Sequence, residues 1–111
     1  METITFDDFL KVEMRVGKII RIEDFPKARK PAYKLWIDFG ALGVKQSSAQ
    51  LTRLYRKEDL LDRYVIAVVN FPPRQVADFQ SQVLVLGAMV SDTEVVLLQP
   101  DRPVEPGTRI A

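Results

Sequence analysis

The sequence contains no cysteine and no histidine. The chain therefore has no disulfide bond, no Ser-His-Asp or Cys-His catalytic pair, and no zinc, haem or iron–sulfur site of the usual kinds. It also lacks the only side chain whose unperturbed pKa lies near neutral pH. What remains is carboxylate or lysine chemistry, or binding, so we expect a protein that is not an enzyme and that holds no cofactor or metal.

Long apolar runs are also absent. The longest covers residues 83–90, far short of the roughly 20 residues that span a bilayer. The amino-terminal residues are acidic and amphipathic, whereas a secretory leader has a basic start followed by an apolar stretch. We therefore expect a cytoplasmic protein without membrane insertion.

The length and composition are those of one globular domain. The 111 residues are 47% hydrophobic and 28% charged, and a chain of this size buries one core rather than two. We find no internal repeat, low-complexity tract or flexible linker. Residues 1–111 are accordingly expected to form a single domain.

Acidic residues are scarce in the middle of the chain. The formal net charge of +1 conceals −3 over residues 1–14, +8 over residues 15–57 and −4 over residues 58–111. A basic band of this kind can face a polyanion, or it can simply keep exposed strands and loops soluble. The densest part of the band is the basic patch Lys27, Arg29, Lys30 and Lys34.

The hydrophobic pattern is mostly that of short strands. Alternating or continuous apolar residues predict strands at 14–25, 33–39, 44–49, 64–69, 82–86 and 94–98. Gly17 and Lys18 interrupt the first strand, which suggests a bulge or sharp bend there. A turn at 40–43 predicts a hairpin between the second and third strands, and Pro106-Gly107 suits a type II turn.

Two helical segments complete the pattern. Thr5 and Asp8 have the spacing of a helix cap, which predicts a short helix at the amino terminus. Residues 50–63 have helical composition and predict one or two short helices. Five or more strands with a helix between the third and fourth match a mainly all-β fold, a five-stranded Greek-key barrel of the OB type.

Three segments give the sequence a specific resemblance. Residues 45–50 (KQSSAQ), 68–74 (VVNFPPR) and 81–86 (SQVLVL) closely resemble the CsaA family of export-related chaperones, and the match runs from Phe6 to the Pro-Gly turn. The wider superfamily of tRNA-binding OB domains includes appendages of methionyl- and phenylalanyl-tRNA synthetases. The resemblance to those appendages is weaker and confined to motifs.

The resemblance implies a homodimer of OB barrels that binds unfolded or pre-secretory polypeptides and is linked to the protein-export machinery. It also implies a tRNA-binding ancestry, so tRNA is the alternative ligand. The OB fold alone does not choose between the two, because this scaffold hosts many ligands. The side-chain inventory agrees with reversible binding rather than catalysis.

Four polar residues in succession occupy a predicted strand where a core favours branched apolar side chains. They are Lys45, Gln46, Ser47 and Ser48. The resemblance assigns them to the family's binding face, where lysine would meet a phosphate or carboxylate and the others a peptide backbone or ribose. Alternatively, one serine satisfies a local backbone group and the rest are simply exposed.

The segment from Asn70 to Arg74 is the most specific candidate for a ligand-binding loop. Two prolines stiffen the loop and display Arg74 at low entropic cost, and Phe71 can stack on a base or receive an apolar side chain. In the alternative interpretation, Phe71 caps the barrel end and Arg74 makes a surface ion pair. Ser81 and Gln82 resemble the superfamily's serine-containing signature near the ligand face, or they are ordinary residues at the start of a strand.

Trp36 has the parity of the polar side of its strand, beside Lys34 and Asp38. A side chain of this size is seldom left bare. We expect the partner subunit to cover it, which makes Trp36 the candidate for the dimer interface. Packing under a local helix or loop and stacking on a base are the other interpretations.

Overall fold

The computed structural model describes residues 1–111. Its strands are β1 (Met14–Asp24), β2 (Tyr33–Asp38), β3 (Val44–Ala49), β4 (Tyr64–Val68), β5 (Arg74–Val76), β6 (Phe79–Ser81), β7 (Leu84–Val85), β8 (Gly87–Met89), β9 (Val95–Leu97) and β10 (Arg109–Ile110). The helices are α1 (Phe6–Leu10) and α2 (Lys57–Leu60), with a 3-10 turn at Gly40–Leu42. None of these helices is long and apolar enough to cross a membrane.

Five antiparallel strands form the main sheet in the order β3-β2-β1-β4-β7, and β10 pairs with the start of β1. The sheet curls into a nearly closed barrel, because residues 80–83, just before β7, lie along the free edge of β3. The predicted five-stranded OB-type barrel is confirmed. The hairpins β5–β6 and β8–β9 stand outside the main sheet.

Several local predictions are confirmed in detail. Thr5 and Asp8 form the reciprocal cap of α1, which also lowers the pKa of Asp8, chiefly through the hydrogen bond from the Thr5 backbone N–H. At the Pro106-Gly107 turn, Gly107 has φ of 95°, and the N–H of Thr108 donates to the carbonyl of Glu105 at 3.1 Å. This is the geometry of a type II turn.

The irregularity in β1 lies elsewhere than predicted. The register against β2 shifts between Ile19 and Arg21, not at Gly17 and Lys18. Gly17 pairs regularly with Val65 of β4, and its lack of a side chain has a packing reason. A Cβ atom there would lie 2.4 Å from Cγ2 of Ile37 and 2.7 Å from Cε1 of Phe39, so the core occupies that space.

Residues 50–63 contain one short helix, as their composition predicts. Only α2 is helical, and the chain leaves it at Leu61 with extended backbone. Asp62 then has φ of 65°, and its N–H donates to the carbonyl of Ile19 at 2.9 Å. Bonding to the barrel strand therefore replaces continuation of the helix, a tertiary override of local propensity.

The main core fills the barrel interior. Its fully buried side chains include Ile19, Leu35, Ile37, Phe39, Leu60 and Val65. A smaller cluster of Phe25, Ala32 and Phe79 lies outside the barrel, under the β5–β6 hairpin. This second cluster fixes the hairpin against β2 and so shapes one side of the groove described next.

Candidate ligand-binding groove

A groove of about 990 Å³ lies between the loop after β1, the loop after β4 and the β5–β6 hairpin. It brings together residues from all three segments that the sequence singled out: Ser48, Phe71, Arg74, Ser81 and Gln82. Arg29 and Lys30 of the basic patch also line it. Lys45, Gln46, Ser47, Asn70, Lys27, Lys34 and Trp36 do not.

The groove is cationic. Arg29, Lys30 and Arg74 are exposed and none of them lies within ion-pair distance of a carboxylate. None of the 16 lining residues is acidic. The positive charge of the groove is therefore left uncompensated by the chain, as in a site for an anionic ligand.

Phe71 supplies an apolar surface beside these cations. Its side chain is 53% exposed, and two prolines follow it before Arg74 opens β5. The proline rings restrict φ and so stiffen the connection between the aromatic ring and the guanidinium group. The sequence-based alternative of a surface ion pair for Arg74 is not observed.

Asn70 positions this loop rather than facing the groove. Its Oδ1 accepts the backbone N–H of Glu13 at 3.0 Å, and its Nδ2 donates to the carbonyl of Lys11 at 2.7 Å. Both ends of the amide are thus used to fasten the end of β4 to the segment that precedes β1. Phe71 is the next residue after Asn70, so these two hydrogen bonds also fix the start of the loop that carries Phe71.

The polar run on β3 closes the barrel. The N–H of Gln46 donates to Oε1 of Gln82 at 2.9 Å, and its Nε2 donates to the carbonyl of Gln80 at 2.8 Å. The N–H of Ser48 donates to Oγ of Ser81 at 3.0 Å. Side chains thus take the place of a full backbone ladder along this seam, which explains the polar composition of the strand.

Ser47 is the one buried polar side chain of this seam, at 1% exposure. Its Oγ donates to the carbonyl of Val83 at 3.0 Å. One serine thus satisfies a backbone group, as one interpretation predicted, but that group lies 36 residues away along the chain rather than nearby. Ser48 differs, because its hydroxyl has no partner within the chain and lines the groove.

We expect Ser47→Ala to lower the free energy of unfolding by about 1–3 kcal/mol, because the Val83 carbonyl would stay buried without its donor. Urea unfolding of the purified protein measures the change. Ser48→Ala is the matched control and should change stability by less than about 0.5 kcal/mol. Equal effects of the two substitutions would contradict the assignment.

The basic patch divides into two parts. Lys27 donates to Asp78 at 2.8 Å, and this hydrogen bond lowers the pKa of Asp78 and raises that of Lys27. Nζ of Lys34 lies 4.8 Å from the ring centre of Phe25, a cation–π contact. Lys27 and Lys34 thus hold the β5–β6 hairpin, and only Arg29 and Lys30 face the groove.

Trp36 packs against its own chain, which is one of the interpretations that the sequence left open. The guanidinium carbon of Arg21 lies 4.5 Å from the centre of its ring. Phe79 meets the ring edge-on, with centroids 5.9 Å apart and planes at 81°. The β5–β6 hairpin, which the sequence analysis did not predict, therefore provides the local packing.

Part of the apolar lining of the groove was not expected from the sequence. Val83 and Leu84 line it, although their run predicts a strand of the core. Val83 is buried, whereas Leu84 is 50% exposed. Val83 lies at a bend just before β7, and the continuous apolar run does not reveal which of its side chains is exposed.

Comparison with known proteins identifies this architecture. Residues 14–109 match the family described as "Putative tRNA binding domain". The structure of chaperone CsaA from Bacillus anthracis strain Ames is 50% identical, with a TM-score of 0.95, and covers 99% of this chain and 100% of that one. The CsaA chaperone protein from Picrophilus torridus is 54% identical, with a TM-score of 0.91, over 98% and 100%.

Curated relatives include the methionine–tRNA ligase of Thermococcus onnurineus, 40% identical over 110 residues. That match covers 99% of this chain but 15% of the ligase, so the chain spans about one seventh of the length of such relatives. The solved CsaA structures, in contrast, correspond to the chain from end to end. The chain therefore belongs to the tRNA-binding domain family and, within it, to the CsaA chaperones.

Proposed function

We propose that this protein is a cytoplasmic, dimeric chaperone-like module that binds unfolded or pre-secretory polypeptides and works with the protein-export machinery. The observation that carries the proposal is the end-to-end correspondence with two CsaA chaperones at 50% and 54% identity. The residues of the groove support binding rather than catalysis, because they include no paired nucleophile and base.

The groove offers what an extended polypeptide needs. The ring of Phe71 and the exposed side of Leu84 can take apolar side chains. The free hydroxyl of Ser48 and the Nε2 group of Gln82, whose Oε1 already accepts from Gln46, line the groove and can bond a peptide backbone. A segment held this way gains apolar contact and hydrogen bonds without a requirement for one sequence.

Suppression of aggregation is the direct test. In molar excess, the purified protein should slow the light scattering of a chemically denatured client on dilution, and Phe71→Ala should weaken the effect severalfold. Binding of unprocessed exported precursors, measured by pull-down, tests the link with export. The chaperone role fails if the protein neither slows aggregation nor retains precursors.

The β8–β9 hairpin is our proposed dimer surface. It pairs with no strand of the main sheet, yet four of its apolar side chains are 42–67% exposed: Met89, Val90, Val96 and Leu98. Leu97 of the same hairpin packs into the main core, so the hairpin is anchored while these four side chains stay exposed, and an apolar patch of this kind marks a protein contact. A dimer would place two grooves on one particle and raise avidity for a long client.

Met89→Glu should therefore convert the dimer into monomers, because a carboxylate would be desolvated in the interface. Light scattering coupled to size-exclusion chromatography measures the mass. Leu42→Glu, on the exposed 3-10 turn, is the matched control and should leave the mass unchanged. A wild-type protein that is monomeric at tens of micromolar would contradict the proposed assembly.

A second candidate function, tRNA binding, is favoured by the three uncompensated cations of the groove. Cations that neutralise phosphates release counterions, so three contacts predict a plot of log affinity against log salt with a slope of about −2 to −3. A titration of purified tRNA between low and moderate salt measures this slope. No binding at low salt, or a slope near zero, would exclude the candidate.

A further inference from the structure

We infer that the groove selects polypeptide segments in which an acidic side chain stands next to apolar ones, and that it rejects segments rich in lysine and arginine. The inference rests on the proposed polypeptide-binding function and names the chemistry of its clients. It follows from which charges of this chain are paired and which are left free around the groove.

Several cations from the same part of the sequence are already neutralised within the chain. Arg21 is paired with Glu23, Lys27 with Asp78 and Lys57 with Asp24. Arg29, Lys30 and Arg74 have no such partner and share the lining of one groove. The chain leaves three positive charges where a ligand would lie, and the nearest acidic group of the hairpin, Asp78, is used by Lys27.

These cations come from two separate segments. Arg29 and Lys30 belong to the loop between β1 and β2, and Arg74 opens β5, directly opposite Ser81 of β6. The Lys27–Asp78 ion pair joins the loop to the turn of the β5–β6 hairpin, so the two segments are held together. A ligand carboxylate in the groove can therefore meet donors from either segment, with the fork of Arg74 able to bind it at two points.

The apolar part of the lining sets the second requirement. Phe71 and Leu84 are each about half exposed, at 53% and 50%, and Val76 of β5 is partly buried beside them. A purely acidic peptide would leave this surface in contact with water. A segment that alternates carboxylates with apolar side chains satisfies both parts of the groove.

The same charges work against basic segments. Lysine or arginine side chains in the groove would face three positive charges with no carboxylate among the lining residues to offset them. The leader of an exported precursor begins with a positively charged stretch. The groove would therefore hold a precursor through acidic and apolar segments elsewhere in its sequence, and the basic start of the leader would stay free.

Three fluorescently labelled peptides test this specificity. They share one apolar framework and carry glutamate, glutamine or lysine at the same alternate positions, and fluorescence anisotropy at low salt measures their dissociation constants. The glutamate peptide should bind at least tenfold more tightly than the lysine peptide, with the glutamine peptide between them. Raising the salt should narrow the difference, because exposed charges are screened.

Charge-reversed variants localise the effect. Arg74→Glu and, separately, Lys30→Glu should reduce the preference for the glutamate peptide at least threefold, and the double variant should abolish it. Arg53→Glu is the matched control, because Arg53 is exposed, has no ion pair and lies outside the groove lining. It should keep the wild-type preference, and circular dichroism checks that each variant is folded.

The outcomes separate the inference from the proposed function. Equal binding of the three peptides, or tighter binding of the lysine peptide, overturns the charge selection while the polypeptide-binding role stands. Failure to bind any of the peptides or to slow client aggregation, with tRNA still bound, overturns both and assigns the groove to nucleic acid. If Arg53→Glu lowers the preference for the glutamate peptide as much as Arg74→Glu does, the charge selection does not arise in the groove, and its assignment to the groove is overturned.

Discussion

Replacing Phe39 with alanine is expected to lower the free energy of unfolding by about 3–5 kcal/mol. Phe39 is completely buried, and its ring fills the space where Gly17 of β1 has no side chain. Loss of the ring removes buried apolar surface and leaves a cavity. The hydrogen-bonded strands around the cavity cannot close it completely, so the packing contacts are lost. Urea unfolding at a fixed protein concentration measures the change, since dimerisation would make stability depend on concentration.

Phe71→Ala is the matched control for this prediction. It removes the same ring from a position that is 53% exposed, so stability should fall by less than about 1 kcal/mol. Binding of polypeptide or tRNA, in contrast, should weaken at Phe71→Ala. A stability loss at Phe71 as large as that at Phe39 would contradict the assignment of Phe71 to the groove surface.

Arg74→Ala is expected to weaken binding of both an unfolded peptide and tRNA by roughly tenfold or more. A charge-assisted hydrogen bond contributes about 1.5–3 kcal/mol, which corresponds to a factor of about 10–150 in affinity. Arg74 has no partner within the chain that would compete for its guanidinium group. Competition between labelled peptide and tRNA for the purified protein measures both affinities.

Arg53→Ala is the control, because it removes an exposed arginine that does not line the groove. A single shared surface is supported if peptide and tRNA displace each other and if Arg74→Ala, but not Arg53→Ala, weakens the binding of both ligands. If the two ligands bind simultaneously, or if Arg74→Ala affects neither, the groove is not the shared site.

Local patterns accounted for most of the barrel strands. Their period-2 alternation is a property of neighbouring residues, as are the Thr5–Asp8 cap and the Pro106-Gly107 turn. The β5–β6 hairpin escaped prediction, because Ala77 has φ of 51° at its turn without being a glycine. Side-chain bonds from Gln75 support that turn instead: its Nε2 donates to the carbonyl of Ala77 at 2.8 Å.

The sequence by itself determined a mainly β protein without histidine or cysteine chemistry, with polar segments suited to binding and with a basic middle. Only the tertiary structure decided which of those residues meet. Ser48, Phe71 and Arg74 line one groove. Asn70 and Ser47 instead form hydrogen bonds with backbone groups of segments distant in the chain. The physical reason is that a polar group's partner depends on the folded position of remote strands, which local periodicity does not encode.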